Sequence, residues 1–457
     1  MGSREDSTTR ILIEHLHRTR FEDLPSPVIE QTKNCVEDFI GTALGGLSTE
    51  FGRLAKNYVA LFGRSDESTV VATRDKSGAL EAAFCNGLVG HALELEDGNR
   101  FAMGHPGVVT IPAALAAAEK ASADGKRLIL GIVCGYEVFG RLGKAMNPSH
   151  FKRGFHTTAT LGTMAAATAA AKVLRLTHEQ MLNAFGIAGS FSAGLSEFIA
   201  DGSTTKQIHA GRAAQNGVFA SVLAQNGFTG PHTVLEGAHG FLRAYADSYS
   251  ATKMIEGLGT DYEISKTYYK RHASCRYNHA ALDATFEILA RESIAPETID
   301  EVHIQTYSAA YDYTNVWTTE TPLSAKMSLP YCIAVAILRG KVGPEEFTED
   351  TIRDRQILQL MKKVKMSVDK EIDKLVPEKR PAIVRISTAG RQISERVDLP
   401  KGEPENPLSR TEFEEKFRSL ASTALTPSAT RRMLEVICDL ENLSKIDDLT
   451  RLLRRPR

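Results

Sequence analysis

Residues 91–106, HALELEDGNRFAMGHP, gather the ionisable groups best suited to proton transfer. Glu94, Glu96 and Asp97 crowd together, and His105 follows between Gly104 and Pro106. Further on, His156 lies in KRGFHTTA, Lys206 in STTKQIHAG, and Lys270, Cys275, Arg276 and His279 in KRHASCRYNHAALDA. Carboxylates with histidines suit general acid–base chemistry near neutral pH. Lysine and arginine suit substrate carboxylates and a developing enolate-type anion. Cys275, beside Arg276 and near His279, is a candidate nucleophile because neighbouring cations lower a thiol pKa. A buried, inert thiol is the bland alternative. No metal ligand is assigned, since none of these groups forms a familiar ligand pair. Structural readings stand beside the chemical ones: Asp97 and Asn99 as helix caps, His156 packed on a helix end, Lys206 as a solvated lysine.

These groups depend on the elements around them. Residues 80–90, LEAAFCNGLVG, are small and apolar, as in a helix inside a core, and VVTIPAALAAAEKA follows the motif. A polar, Gly-broken segment, loosening through Asn99 and Arg100, thus lies between two buried helices. Charge placed there is costly unless paired or used. His156 precedes an Ala-rich helix with Thr157 or Thr158 as its N-cap, near a terminus whose dipole favours anions. Lys206 and His209, three apart, share a helix face. Pro27 suits a helix start, Gly45 and Gly46 its end, and Thr177 another N-cap. Residues 68–73 read as one short strand or an extended link.

From about Ile264 the pattern changes. Val302, Ile304 and Thr306 alternate as in a strand. Residues 324–338 read as one buried helix and 348–362 as a polar one. Residues 364–368 are strand-like, and AIVRIST and QISERVDL form a hairpin across Ala389, Gly390 and Arg391. From Ser409 the helical pattern returns. The fold expected is mostly α with two domains. Residues 1–264 and 398–457 form a discontinuous all-helical domain, and residues 265–397 form a smaller α+β lid.

The chain has 457 residues, enough for two cores. Its 55 basic and 56 acidic side chains nearly cancel, leaving no field that favours nucleic acid or an anionic membrane. No apolar run reaches membrane-spanning length. The N-terminal MGSREDSTTR lacks the apolar core of a secretory signal. The six cysteines include no CxxC pair, which argues against a zinc site or disulfide scaffold and fits a reducing cytoplasm. Neither nucleotide-binding glycine fingerprint is present, nor a GxSxG elbow nor HExxH.

The motifs HALELEDGNRFAMGHP, GYEVFGRL, KRGFHTTATLGTMAAA, STTKQIHAGRAAQNG, GFTGPHTVLEGAHGF and KRHASCRYNHAALDA resemble the MmgE/PrpD family, collinearly over nearly the whole chain. That family includes dehydratase, decarboxylase and epimerase activities on small polycarboxylates. The resemblance implies a helical domain with an α+β lid, an active site between them, a homodimer, and no obligatory metal, nucleotide or iron–sulfur cofactor. Against the family's HxxDFDDT motif, His91 matches, Glu94 and Glu96 replace the first two aspartates, Asp97 matches the last, and Gly98 replaces threonine. His105, His156 and Lys206 match the family's later histidine, its FH histidine and its TK lysine. In the family's decarboxylase a histidine falls near the position of Cys275.

The expected function is acid–base chemistry at the carbon α to a carboxylate of a small di- or tricarboxylate. A dehydratase-type elimination comes first, with decarboxylation or epimerisation as alternatives. A non-catalytic carboxylate-binding or scaffold protein is the alternative of another class. Asp97, His105, His156 and Lys206 carry the catalytic assignments. Glu94, Lys270, Cys275, Arg276 and His279 carry the substrate-binding ones.

Overall fold

The computed structural model describes residues 7–62, 65–71, 73 and 75–454. Most of the N-terminal segment read above, residues 1–6, lies outside the described residues, as does residue 72 of the short strand.

The larger part is a stack of helices, among them Ser26–Gly46, Ala79–Gly90, Gly107–Lys120, Gly125–Met146, Thr157–Val173 and Thr205–Gln225. In Thr157–Val173 every residue except Lys172 is buried. A helix apolar all round belongs at the centre of a body, and its neighbours must then be able to approach it. Small residues allow this. A Cβ on Gly217 would lie 2.5 Å from the backbone nitrogen of Ala167, and one on Gly87 would lie 3.0 Å from the Cα of Gly211. Helix ends follow the local signals: Ser26–Gly46 has Pro27 in its first turn. Thr177 accepts from the Gln180 amide, and Gln180 closes a capping box.

After the lid sequence the chain returns to this body. Phe413, Phe417 and Leu434 join the core made by the N-terminal helices. Lys416 pairs with Asp38 at 2.6 Å, and Arg410 with Glu37 at 2.8 Å.

The second core surrounds a four-stranded sheet. Its order is Val364–Val368, Ile299–Thr306, Ala382–Thr388, Arg391–Val397, with the first pair parallel and the others antiparallel. Val302, Ile304, Val384 and Ile386 face inward with Leu282, Ile288 and Ile333 of the covering helices. The hairpin turn is tighter than the sequence reading. Thr388 pairs with Arg391, so Ala389 and Gly390 alone form the loop, both at positive φ.

Two helix readings need correction. Residues 324–338 are not one helix. Pro322–Met327 and Leu329–Arg339 meet at Ser328, whose hydroxyl caps the second by accepting from the Tyr331 amide. In 348–362, Asp354 caps a separate short helix, Arg355–Met361, so the polar stretch begins as a 3-10 turn. Two short ladders also occur: Ser68–Thr69 with Lys76–Ser77, and Gly98–Asn99 with Thr267–Tyr268. Among the described residues, no helix is long and apolar enough to cross a membrane.

Candidate active site

The acidic motif is buried, not loose. Beyond helix Ala79–Gly90 the backbone turns sharply, with Glu94 at φ 56°, a left-handed conformation rare for a side chain of its size. Asn99 closes the next loop on itself. Its amide donates to the Gly104 carbonyl at 2.9 Å, and its side-chain oxygen accepts from the amides of Phe101 and Ala102. Gly98 leaves room for no side chain, because Tyr268 occupies that space. A Cβ there would lie 2.3 Å from the Tyr268 hydroxyl oxygen.

Two lysines neutralise the carboxylates. Lys206 Nζ donates to Glu94 Oε2 at 2.5 Å. Lys270 Nζ donates to the Glu94 carbonyl at 2.9 Å and lies 3.5 Å from Glu94 Oε2 and 3.2 Å from Glu96 Oε1. Burial alone would push both carboxyls up. The ammoniums override it, holding Glu94 down at about 2, and Glu96 is held low by Lys270, His91 and His105. His91, Glu94 and Glu96 place ligand atoms within 4.8 Å of one another, a spacing that could hold a metal ion. Lys270 brings positive charge to one oxygen of each carboxylate, while Glu94 Oε1, Glu96 Oε2 and His91 Nε2 are buried without a hydrogen-bond partner.

The imidazoles form a column. Ring centroids are 5.3 Å apart for His105 and His91, 6.1 Å for His91 and His156, and 5.2 Å for His156 and His209. His105 Nδ1 donates to the carbonyl of Asp97 at 2.6 Å. That bond fixes the proton on Nδ1 and leaves Nε2 as the acceptor. Its backbone amide is held by Thr158 Oγ1 at 3.2 Å. His156 occupies the N-cap position of helix Thr157–Val173 itself, so neither Thr157 nor Thr158 is the cap. Its Nδ1 lies 3.1 Å from His209 Nδ1, one ring donating to the other. Burial, with nearby cations, pushes His105 down to about 3, His209 to about 4, and His156 well below the usual value. All three are therefore neutral at pH 7.

A cavity opens against this column. Glu94, His105, His156, Lys206, Cys275 and Arg276 all line it, so six of the nine candidate residues converge. Three do not. Asp97 turns its carboxylate away from the cavity: Oδ1 accepts from the Gly107 amide at 3.0 Å and Oδ2 from the Tyr136 hydroxyl at 2.6 Å. It reaches His105 through its backbone carbonyl, and burial beside Asp38 pushes its carboxyl up to about 8. Lys270 is fully buried under the acidic motif rather than exposed to a ligand. His279 lies behind Arg276, 3.1 Å from its Nη1, with its ring against His272. Arg276 lines the cavity, but Glu403 and the Lys401 carbonyl take its donors. Burial pushes the Cys275 thiol up, so it is no thiolate nucleophile. The sequence reading missed Tyr268, Tyr277, Tyr313 and Arg380, which also line the cavity. Arg380 sits in EKRPA, which reads as a solvated charge run.

A helical body and an α+β part thus enclose a cavity lined by neutral imidazoles and an ammonium group. The sequence profiles of the MmgE/PrpD N-terminal domain and C-terminal domain match residues 10–253 and 272–442. The chain belongs to the MmgE/PrpD family. It is 28% identical to a cis-aconitate decarboxylase of Aspergillus terreus, over 95% of this chain and 93% of the relative. The human cis-aconitate decarboxylase is 27% identical, over 98% of this chain and 95% of its own. A cis-aconitate decarboxylase-like protein of Aspergillus oryzae is 26% identical over 98% of each.

Proposed function

We propose that the protein is a lyase acting at the carbon α to a carboxylate of a small di- or tricarboxylate, by proton transfer within this cavity. The observation that carries the proposal is the meeting of His105, His156 and Lys206, from three separate segments, on one cavity. Lys206 holds a substrate carboxylate. His105, with Nε2 free to accept, is the base. His156, linked to His209, relays the proton to the carbanion or the leaving group. Asp97 is a positioning residue that aims His105 through its backbone carbonyl. An anionic substrate raises the imidazole pKa values when it binds, bringing them toward the range where proton transfer is effective.

Relatives named as cis-aconitate decarboxylases span almost the whole chain, and this moves decarboxylation of a cis-aconitate-like tricarboxylate ahead of dehydration. Dehydratase-type elimination is the second reading. It is favoured by the presence of two imidazoles, a base and an acid, and by Cys275 in place of the decarboxylase histidine. We read residues 265–397 as a lid over a body made of residues 1–264 and 398–457, working as a homodimer. The test is incubation with cis-aconitate, citrate and a panel of dicarboxylates in deuterium oxide, followed by NMR. Release of CO₂ with deuterium incorporation supports decarboxylation, and loss of water supports elimination. Binding without any exchange or turnover would leave only a carboxylate-binding protein.

A further inference from the structure

Charges beside this side of the cavity do not balance. Three guanidiniums, of Arg100, Arg276 and Arg380, stand near two carboxylates, Glu403 and Glu405. Arg100 Nη1 donates to Glu403 Oε2 at 2.9 Å and to Glu405 Oε2 at 2.7 Å. Arg276 Nη2 and Nε donate to the other oxygen of Glu403, at 2.9 and 3.3 Å. Both carboxylates are thereby used. Arg380 is the odd charge. Its side chain makes one hydrogen bond, from Nη2 to the carbonyl of Arg100 at 2.7 Å, and stands over the Tyr277 ring at 5.2 Å. Among the described residues, no carboxylate lies within ion-pairing distance of it. Yet it is only 5% exposed and lines the cavity.

A guanidinium cannot escape burial by losing its proton. Without a counter-ion its burial is unfavourable, and an aromatic face offsets only part of that. Four of its five N–H groups carry no protein partner, and the fork they form matches a carboxylate. Arg276 and Lys270, by contrast, are already neutralised by protein carboxylates.

Building on the reading that the cavity takes a small polycarboxylate, we propose that Arg380 binds the non-reacting carboxylate by which a tricarboxylate substrate exceeds a dicarboxylate. It thereby sets how many carboxylates the enzyme requires. Lys206 and Arg380 then hold different carboxylates of one molecule, with the imidazoles serving the carbon skeleton.

The probes are propane-1,2,3-tricarboxylate and pentanedioate, which differ by the central carboxylate. Their dissociation constants are measured by calorimetry on the parent protein, Arg380→Met and Arg380→Lys. The parent should prefer the tricarboxylate by about 10- to 100-fold, the usual range for a charge-assisted contact. Arg380→Met should reduce that preference to within about threefold while barely changing pentanedioate binding. Arg380→Lys, which keeps the charge and loses the fork, should fall between them. If the parent binds neither probe, both this proposal and the functional reading fail. If the parent binds them but Arg380→Lys and Arg380→Met keep the full preference, or weaken both probes equally, the Arg380 assignment alone is overturned.

Discussion

Lys206 has two proposed tasks, neutralising Glu94 and holding substrate, and these respond differently to mutation. The Lys206 Nζ to Glu94 Oε2 contact is 2.5 Å with both side chains buried. Removing one partner of a buried ion pair typically costs about 3–5 kcal/mol, because the other charge stays uncompensated. Glu94 keeps Lys270 at 3.5 Å, so Lys206→Met should fall at the lower end, about 3 kcal/mol. Glu94→Gln should cost a similar amount by stranding Lys206. The double variant removes both charges and should be more stable than the summed single effects by about 2 kcal/mol, as coupled neighbours are. Urea unfolding followed by circular dichroism measures all three. Binding separates the second task. Lys206→Met should weaken a tricarboxylate by about 1.5–3 kcal/mol, the worth of a hydrogen bond to a charged group. Glu94→Gln should preserve or tighten binding, because it frees Lys206 from its internal anion. Additive stability losses would show that the pair does not interact in solution. Equal weakening of binding by both variants would reduce Lys206 to a structural counter-ion.

Replacing His105 or His156 by Asn should lower turnover by about 10²–10⁴-fold with much smaller changes in affinity; near-parental turnover and α-proton exchange in both would remove the acid–base assignment. Gly98→Thr should clash with the Tyr268 ring and lower both the melting temperature and substrate affinity; Tyr268→Ala in the same chain should recover part of the stability, and no recovery would place the strain elsewhere. Stability should also depend on pH in a defined way. His105, His150 and His209 have folded pKa values lowered to about 3, 4 and 4, so their contribution is full above pH 6.5 and is lost as pH falls through 4 and 3. Asp97 and Glu137, raised to about 8 and 7, contribute stability at low pH that is lost as pH rises from about 4 through 8. The melting temperature should therefore peak near pH 6–7, and His105→Asn should flatten the acid side; a profile without an acid limb would contradict the burial of neutral imidazoles.

The parts of the fold visible in the sequence are those with local causes. Val302 and Ile304 alternate because one face of a strand is buried, and Thr177 caps because its own side chain meets the amide three residues on. The split at Ser328 was not legible from apolar content, because both helices are buried and the break lies in one residue's backbone. The sheet order was not legible either, since parallel pairing of Ile299–Thr306 with Val364–Val368 joins segments far apart in the chain.

The site divides in the same way. Residue types near glycine, proline and helix ends marked His105, His156 and Lys206, and the three do meet. Charge pairing, however, belongs to the tertiary structure. Lys206 and Lys270 look alike in sequence, yet one lines the cavity and the other is sealed beneath the acidic motif. Arg276 sits in a conspicuous motif and is neutralised by Glu403, whereas Arg380, in a stretch that reads as solvated, is a buried cation with no carboxylate in ion-pairing distance among the described residues. The cation left unpaired by the protein has the most to gain from an anionic ligand. Which arginine is left to meet an anion therefore follows from counting the carboxylates that fold against each one, and that count exists only once residues 94–100, 270–276, 380 and 403–405 have come together.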